Sequence, residues 1–326
     1  MNLPPTEFIR VPADQLRALS RAVFEKVGVA GRDAELIAGL LVDTDLRGVF
    51  SHGTRCINGY ARAFLGGQLN PTPRIEVVRD EPSTAVVDGD GGLGHVATVR
   101  ATELAIAKAK ANGVGAVVVR NHGHFGGAGK YTRMALRQGC AAFCVSGHTI
   151  EPNIPDQPQW NPIGNPPMSF AFPAGGEAPL VLDMGTSFFE PEHFPALFAQ
   201  VPAAFFKSIG LVAVAQLFGG VMAGMMAAQF RPENRSYAAA GYGAFIAVVD
   251  VARFVPVEQF KAEVDHSMQR LHQLPPLPGY ARYDLPGGLE WEQERRWAVE
   301  GIPLGREHQH SLEEIAGQLA LAVPWK

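Results

Sequence analysis

The sequence predicts an α/β chain with a helical lobe at its N-terminus. Three observations carry this. Apolar residues recur at helical spacing up to residue 65, short β-branched runs alternate with helical ones from residue 74, and only 18% of residues are charged while 36 are Gly and 25 are Pro. A low-charge, turn-rich chain that is 47% hydrophobic buries a sizeable core.

Residues 12–27 place Leu16, Leu19, Val23 and Val27 on one helical face, with Pro12 near the start. Residues 33–46 repeat the pattern with Leu36, Ile37, Leu40 and Leu41, and a third short helix falls within 55–65. A loop, GGQLNPTP, closes this lobe. Strands are expected at 74–78 and 84–87, a helix at 97–111, and a fully apolar strand at 115–120. A helix at 128–138 precedes strands at 141–146, 168–173 and 179–184. An uncharged apolar helix at 209–230, a strand at 244–251, an amphipathic helix at 257–274 and a last short helix at 311–322 complete the chain. The division is residues 1–74 as a helical lobe, joined by 275–326, and residues 75–274 as an α/β lobe.

A net charge of −4 implies no basic face and argues against nucleic acid. Three cysteines, Cys56, Cys140 and Cys144, form no paired spacing and read as reduced thiols. No Cys/His run offers the ligands zinc needs, so no metal is expected. The N-terminal residues lack a basic stretch followed by an apolar one, so the expected location is cytoplasmic. Residues 209–230, with Gly220-x-x-x-Gly224, meet the length of a membrane span; lacking a flanking cationic cluster, they read instead as a central core or dimer-interface helix. No membrane partner is expected.

Three loops carry chemistry. Gly89–Gly94 satisfies G-x-G-x-x-G between a strand and a helix, the context of a pyrophosphate-binding turn, but Asp88 and Asp90 place carboxylates where phosphate oxygens would sit. The alternative is a tight structural turn. Ser51-His52-Gly53-Thr54-Arg55 gathers hydroxyl, imidazole and guanidinium. It reads either as a carboxylate and carbonyl receptor or as a helix cap with surface His and Arg. Arg120-Asn121-His122-Gly123-His124-Phe125-Gly126 follows the C-terminal end of the apolar strand, where ligands gather in α/β sheets. A histidine there is a general acid/base candidate, its ordinary pKa near 6.5 suiting proton transfer at neutral pH, or a solvated loop residue.

In order along the chain, these segments resemble the malate/L-lactate dehydrogenase type-2 family, which includes ureidoglycolate, sulfolactate, diketogulonate and piperideine-carboxylate dehydrogenases and reductases. The resemblance rests on Asp45-Leu46-Arg47-Gly48 with Ser51-His52-Gly53, on 87–95, on 119–126, on Leu182-Asp183-Met184-Gly185-Thr186-Ser187, and on Glu300-Gly301-Ile302-Pro303-Leu304. It implies a non-Rossmann nicotinamide-binding sheet fold of the sulfolactate dehydrogenase-like type, in which the glycine loop is structural and 75–274 is the cofactor-binding lobe. It implies an NAD(P)-dependent oxidoreductase moving hydride between NAD or NADP and a small 2-oxo/2-hydroxy acid or cyclic imino acid. His124 then falls on the proton donor or acceptor, and His52 on a histidine that has also been given that role. Ser51 and Arg55 fall on the substrate side, and His148, Asp183, Met184, Gly185 and Lys207 on the cofactor side. A small carboxylate substrate and a homodimer are the implied partners.

Four departures stand out. Arg55 stands three residues after His52, where the family arginine usually stands four after, and Cys56 holds that place. Gly164-Asn165-Pro166-Pro167 replaces a common GTNP, and His148 replaces a small polar residue. Between Asp183 and Lys207 the family segment is shortened to an aromatic stretch over 188–206. The rival readings are a non-catalytic or altered-ligand homologue and a membrane-anchored protein.

Overall fold

A computed structural model describes residues 4–148, 163–188 and 194–326. Two helices open the chain, α1 (Ala13–Lys26) and α2 (Gly31–Leu46), followed after two short turns by α3 (Ile57–Leu65). The apolar stripes foreseen on them face inward: Leu16, Val23, Ile37 and Leu41 are buried in one core. Trp297, Ile302, Leu312 and Ile315 from the far end of the chain fill that same core. They come from α9 (Gly288–Glu300), β9 (Ile302–Gly305) and α10 (Arg306–Gln318). A two-stranded antiparallel ribbon ties the ends together, β1 (Phe8–Val11) pairing β9 from Phe8 opposite Gly305 to Val11 opposite Ile302. Neither four-residue strand was expected, because such short runs, one holding Pro303, show no alternation to read. Helix α9 was missed because its sequence is largely charged.

The second lobe is a seven-stranded sheet ordered β2-β3-β4-β8-β5-β6-β7. Its strands are β2 (Glu76–Asp80), β3 (Thr84–Asp88), β4 (Val114–His122), β5 (Cys140–Gly147), β6 (Pro167–Phe172), β7 (Leu180–Gly185) and β8 (Tyr242–Asp250). Only β3 and β4 are parallel; every other pair is antiparallel. Such a mixed sheet is not a Rossmann fold, whose strands are mostly parallel. Helices α4 (Gly94–Asn112) and α5 (Gly129–Leu136) cover one face, where Ala101, Ala105, Ala109, Tyr131 and Ala135 pack on Val117, Val119, Cys144 and Ile246. Cys140 and Cys144 are buried free thiols and Cys56 is a half-buried one.

The uncharged segment covers the other face, with different bounds from those expected. Helix α7 (Pro202–Gln216) begins earlier than residue 209 and passes into a π-helical turn, Leu217–Val221. Backbone at Gly219 and Gly220 presses on Ser146–His148, and Gly224 takes φ +82, which ends the helix well short of residue 230. Pro202–Val221 is long and apolar enough to cross a membrane by length and composition, at mean hydropathy 1.6. Of the two glycines that suggested membrane packing, Gly220 meets the end of β5 and Gly224 faces open space. A short helix, α6 (Phe194–Gln200), precedes it, with Phe194 and Phe198 edge-on to Phe205; residues 189–193 of the aromatic stretch lie outside the described residues. Helix α8 (Val257–Leu271) follows β8.

Candidate active site

Antiparallel pairing brings chemistry to one end of the sheet. His122 at the end of β4 lies opposite Tyr242 at the start of β8, Gly147 at the end of β5 lies opposite Gly243, and Pro167 at the start of β6 lies opposite Gly185 at the end of β7. The glycine loop fastens the histidine loop there. Gly89 and Gly91 donate to the carbonyls of Arg120 and Asn121 (both 2.9 Å), Gly94 to that of His124 (3.2 Å), and Gly123 donates back to Gly92 (2.8 Å). Asp88 accepts from Arg120 Nε and Asn121 Nδ2, each at 2.9 Å. The amide donors and carboxylates of this motif are thus engaged by protein, which makes it a structural turn. Asn121 takes the left-handed region (φ 57), and the β4–β8 register shifts between Val119 and His122. This bulge turns the chain so that His124 borders the cleft instead of continuing the ladder.

His124 lies between two cavities and lines both, together with His148 and Tyr242. One, of about 440 Å³, also holds Ser51, His52, Ser146, Asn165, Asp183 and Met184. The other, of about 500 Å³, also holds Tyr60 and Arg235 on largely apolar walls. The Tyr60 hydroxyl, carried by α3, lies 2.6 Å from His124 Nδ1. The His52 ring stands with its centroid 5.7 Å from that of His124, and Ser51 Oγ lies 2.9 Å from His52 Nδ1. Burial, then His52, then Lys130, push the His124 imidazole down to about 4. Burial and Lys130 also lower His52. Both rings are therefore neutral at pH 7, with Tyr60 held in its phenol form by burial.

Two buried groups brace this pair from beneath. Lys130 Nζ, on α5, donates to the His52 carbonyl at 3.0 Å, and burial pushes its ammonium down to about 8. Asp45, at the end of α2, accepts from Thr54 N (3.0 Å) and Thr54 Oγ1 (2.5 Å), and that hydroxyl continues to His308 Nε2 at 2.8 Å. Burial raises the Asp45 carboxyl to about 7. The turn bearing Ser51 and His52 is thereby held on both sides.

The structure brings together Ser51, His52, His124, His148, Asp183, Met184 and Gly185. Arg55 does not join them. It points to the opposite side of the turn, bonds Glu307 at 3.0 Å and lines a separate hollow with Phe50 and His308. The single-residue offset in its spacing explains this: Arg55 lies in a 3-10 turn, Thr54–Cys56, where one residue is about 120° of rotation. Cys56, in the place expected for the arginine, instead donates its thiol to the Ser51 carbonyl. Lys207 is exposed on α7 and lines neither cavity. His148 is fixed by Gln216, which accepts from the His148 N–H at 2.7 Å and meets its Nε2 at 3.0 Å. The carboxylate of Asp183 accepts from the N–H groups of Ala128 and Gly129 and lies beside Arg133 and Lys130. Among the described residues, no group of three or more His, Cys, Asp or Glu converges to hold a metal.

Sequence reasoning missed Tyr60, Lys130, Tyr242 and Arg235. A signal existed for Tyr60, which stands one helical turn after Cys56 and so on the same side of the helix that leaves the Ser51-His52 turn. Lys130, a single cation in an otherwise uncharged run from Gly126 to Thr132, was the other legible mark.

This fold and this site define a dehydrogenase/reductase of non-Rossmann build. The chain belongs to the malate/L-lactate dehydrogenase family, whose model matches residues 11–194 and 190–313. It is 30% identical to a malate dehydrogenase from Pyrococcus horikoshii over 96% of each chain, and that enzyme's structure superposes with TM-score 0.84 over 98% of each. An L-sulfolactate dehydrogenase from Methanocaldococcus jannaschii is 28% identical over 92% of this chain and 94% of its own, and its structure gives TM-score 0.76 over 97% and 98%. A ureidoglycolate dehydrogenase (NAD(+)) from Escherichia coli K12 is 26% identical over 91% of this chain and 93% of its own.

Proposed function

We propose that this protein catalyses reversible hydride transfer between a nicotinamide cofactor, NAD or NADP, and the C2 of a small 2-oxo acid, 2-hydroxy acid or cyclic imino acid. The observation that carries the reading is the His124–Tyr60 pair at 2.6 Å, set between two confluent cavities beside His52. The smaller cavity suits the nicotinamide end of the cofactor. Met184, Phe125, Pro166 and Pro167 offer apolar faces for a planar ring, while Ser146, Asn165 and His148 offer polar atoms for its carboxamide and ribose. Asp183 and Gly185 border the same cavity; Lys207 does not. When bound, the nicotinamide supplies or takes up the hydride.

The remaining steps fall to this chain's own groups. His124 moves the proton at the substrate oxygen or nitrogen through Nε2. Tyr60 holds Nδ1 in either tautomer, since a hydroxyl both donates and accepts. A neutral imidazole is ready to accept the proton of a 2-hydroxy acid. In the reverse direction, the charge growing on the substrate oxygen draws the His124 pKa upward toward that of a donor. His52, with Nδ1 beside Ser51, presents Nε2 to orient the substrate; burial chiefly keeps both rings neutral, and Lys130 adds to this while holding the turn in place. The reading carries with it a cytoplasmic homodimer, checked by sedimentation of the purified protein.

Replacing His124 with Asn tests the assignment. A positioned acid/base contributes roughly 10²–10⁴-fold, so turnover followed by nicotinamide absorbance should drop by that factor. The thermal stabilisation by NADH or NADPH should persist. Turnover equal to wild type would remove His124 from the mechanism, and the absence of any thermal shift in the wild-type protein would favour a non-catalytic homologue.

A further inference from the structure

The reading above leaves the substrate's carboxylate without a cationic partner, because Arg55 is engaged elsewhere. We propose that Arg235 binds this carboxylate, and that the enzyme therefore prefers a substrate with one carboxylate and an apolar body over a dicarboxylate. The proposal rests on the hydride-transfer reading and names its substrate class.

Arg235 sits in the connection between Phe230 and β8 and lines the larger cavity with His124, Tyr60 and Tyr242. Its Nε is buried without a hydrogen-bond partner. Among the described residues it makes no ion pair, whereas other arginines around the site are committed. Arg47 pairs with Glu294, Arg55 with Glu307, and Arg120 with Asp88 while stacking over Phe230. A half-buried guanidinium with an unpaired N–H is costly unless an anion arrives to satisfy it. The guanidinium lies directly against the backbone at Gly241, where a Cβ would overlap Nη1. The forked donors of arginine match a carboxylate in two parallel bonds.

The same cavity fixes how many anionic groups fit. Among the described residues no Asp, Glu or Lys lines it; apart from Arg235 and the reacting end at Tyr60, His124, His148 and Tyr242, the walls are chiefly Leu69, Leu93, Phe230, Pro232 and alanines. A second carboxylate would be desolvated there with no counter-charge. A volume of about 500 Å³ leaves room for a side chain of several carbons beyond the 2-oxo acid head.

Calorimetric titration with 2-oxohexanoate and with 2-oxoadipate, each in the presence of NAD+ and NADP+, measures this without requiring turnover. Wild-type protein should bind 2-oxohexanoate at least 10-fold more tightly than the dicarboxylate. Arg235→Met should weaken 2-oxohexanoate by about 10- to 150-fold, the range of a charged hydrogen bond. Arg235→Lys should recover part of the loss, and thermal melts of both variants establish that they fold. Equal affinity in Arg235→Met and wild type would overturn the proposal, as would a wild-type preference for 2-oxoadipate or no binding of either acid. Tight binding lost in Arg235→Met, combined with no hydride transfer by the wild type, would uphold the carboxylate site while refuting the catalytic reading.

Discussion

Replacing Tyr60 with Phe removes one oxygen and little else. The ring keeps its places 5.7 Å from His95 and 5.9 Å from His124, and the residue is only 8% exposed, so the fold has no reason to move. What is lost is the 2.6 Å contact to His124 Nδ1, together with a hydrogen bond to the Cys56 thiol. An imidazole nitrogen deprived of its partner away from water costs about 1–3 kcal/mol. If that cost is borne in the transition state, where the ring changes protonation, the rate falls about 5- to 150-fold at roughly 1.4 kcal/mol per tenfold. The assay is steady-state turnover of a 2-hydroxy acid with NAD+ or NADP+, comparing kcat/KM and kcat between Tyr60→Phe and wild type. A loss in both parameters with cofactor binding unchanged is expected. A kcat/KM within twofold of wild type would refute the view that Tyr60 holds the proton-transferring ring.

Two further outcomes follow from titration. Oxidation requires neutral His124, whose imidazole is pushed down to about 4, so kcat/KM for the hydroxy acid should hold through pH 6 and be halved near 4, not near the ordinary 6.5; a pH–rate profile reads this directly. Asp45 is raised from 3.8 to about 7, so its contribution to stability is complete below 3.8 and lost as pH rises through about 7. At 1.36 kcal/mol per pKa unit that is about 4 kcal/mol. His122, His124 and His308, each lowered to about 4, act with the opposite sign over pH 4–6.5, so the wild-type curve alone hides the effect. Denaturant melts of Asp45→Asn against wild type at pH 4.5 and 7.5 should show the variant gaining several kcal/mol relative to wild type across that interval. A difference independent of pH would exclude a carboxyl that titrates near 7.

The sequence alone determined the local order of this protein and part of its chemistry. Periodicity located α1 and α2, which bury one face each, and β-branched or continuous apolar runs bounded by turn residues located the sheet strands to within a few residues. His52 and His124 stood out through the order of the motifs around them; local sequence left each open to a helix-cap or solvated-loop role. What it could not determine is which side chains meet. Tyr60 and His124 are 64 positions apart, and Lys130 and His52 are 78 apart, joined only when α3 and α5 pack around the end of the sheet. Arg55 and Arg235 show the limit most sharply. Arg55 lies beside the right motif but points outward, since one residue of helical rotation moves its guanidinium to another face. Arg235 belongs to no motif and enters the cavity because β8 pairs antiparallel between β4 and β5, which carries the connection before it over the site. Direction and proximity belong to the packed chain; the pattern of residues records only which faces are buried.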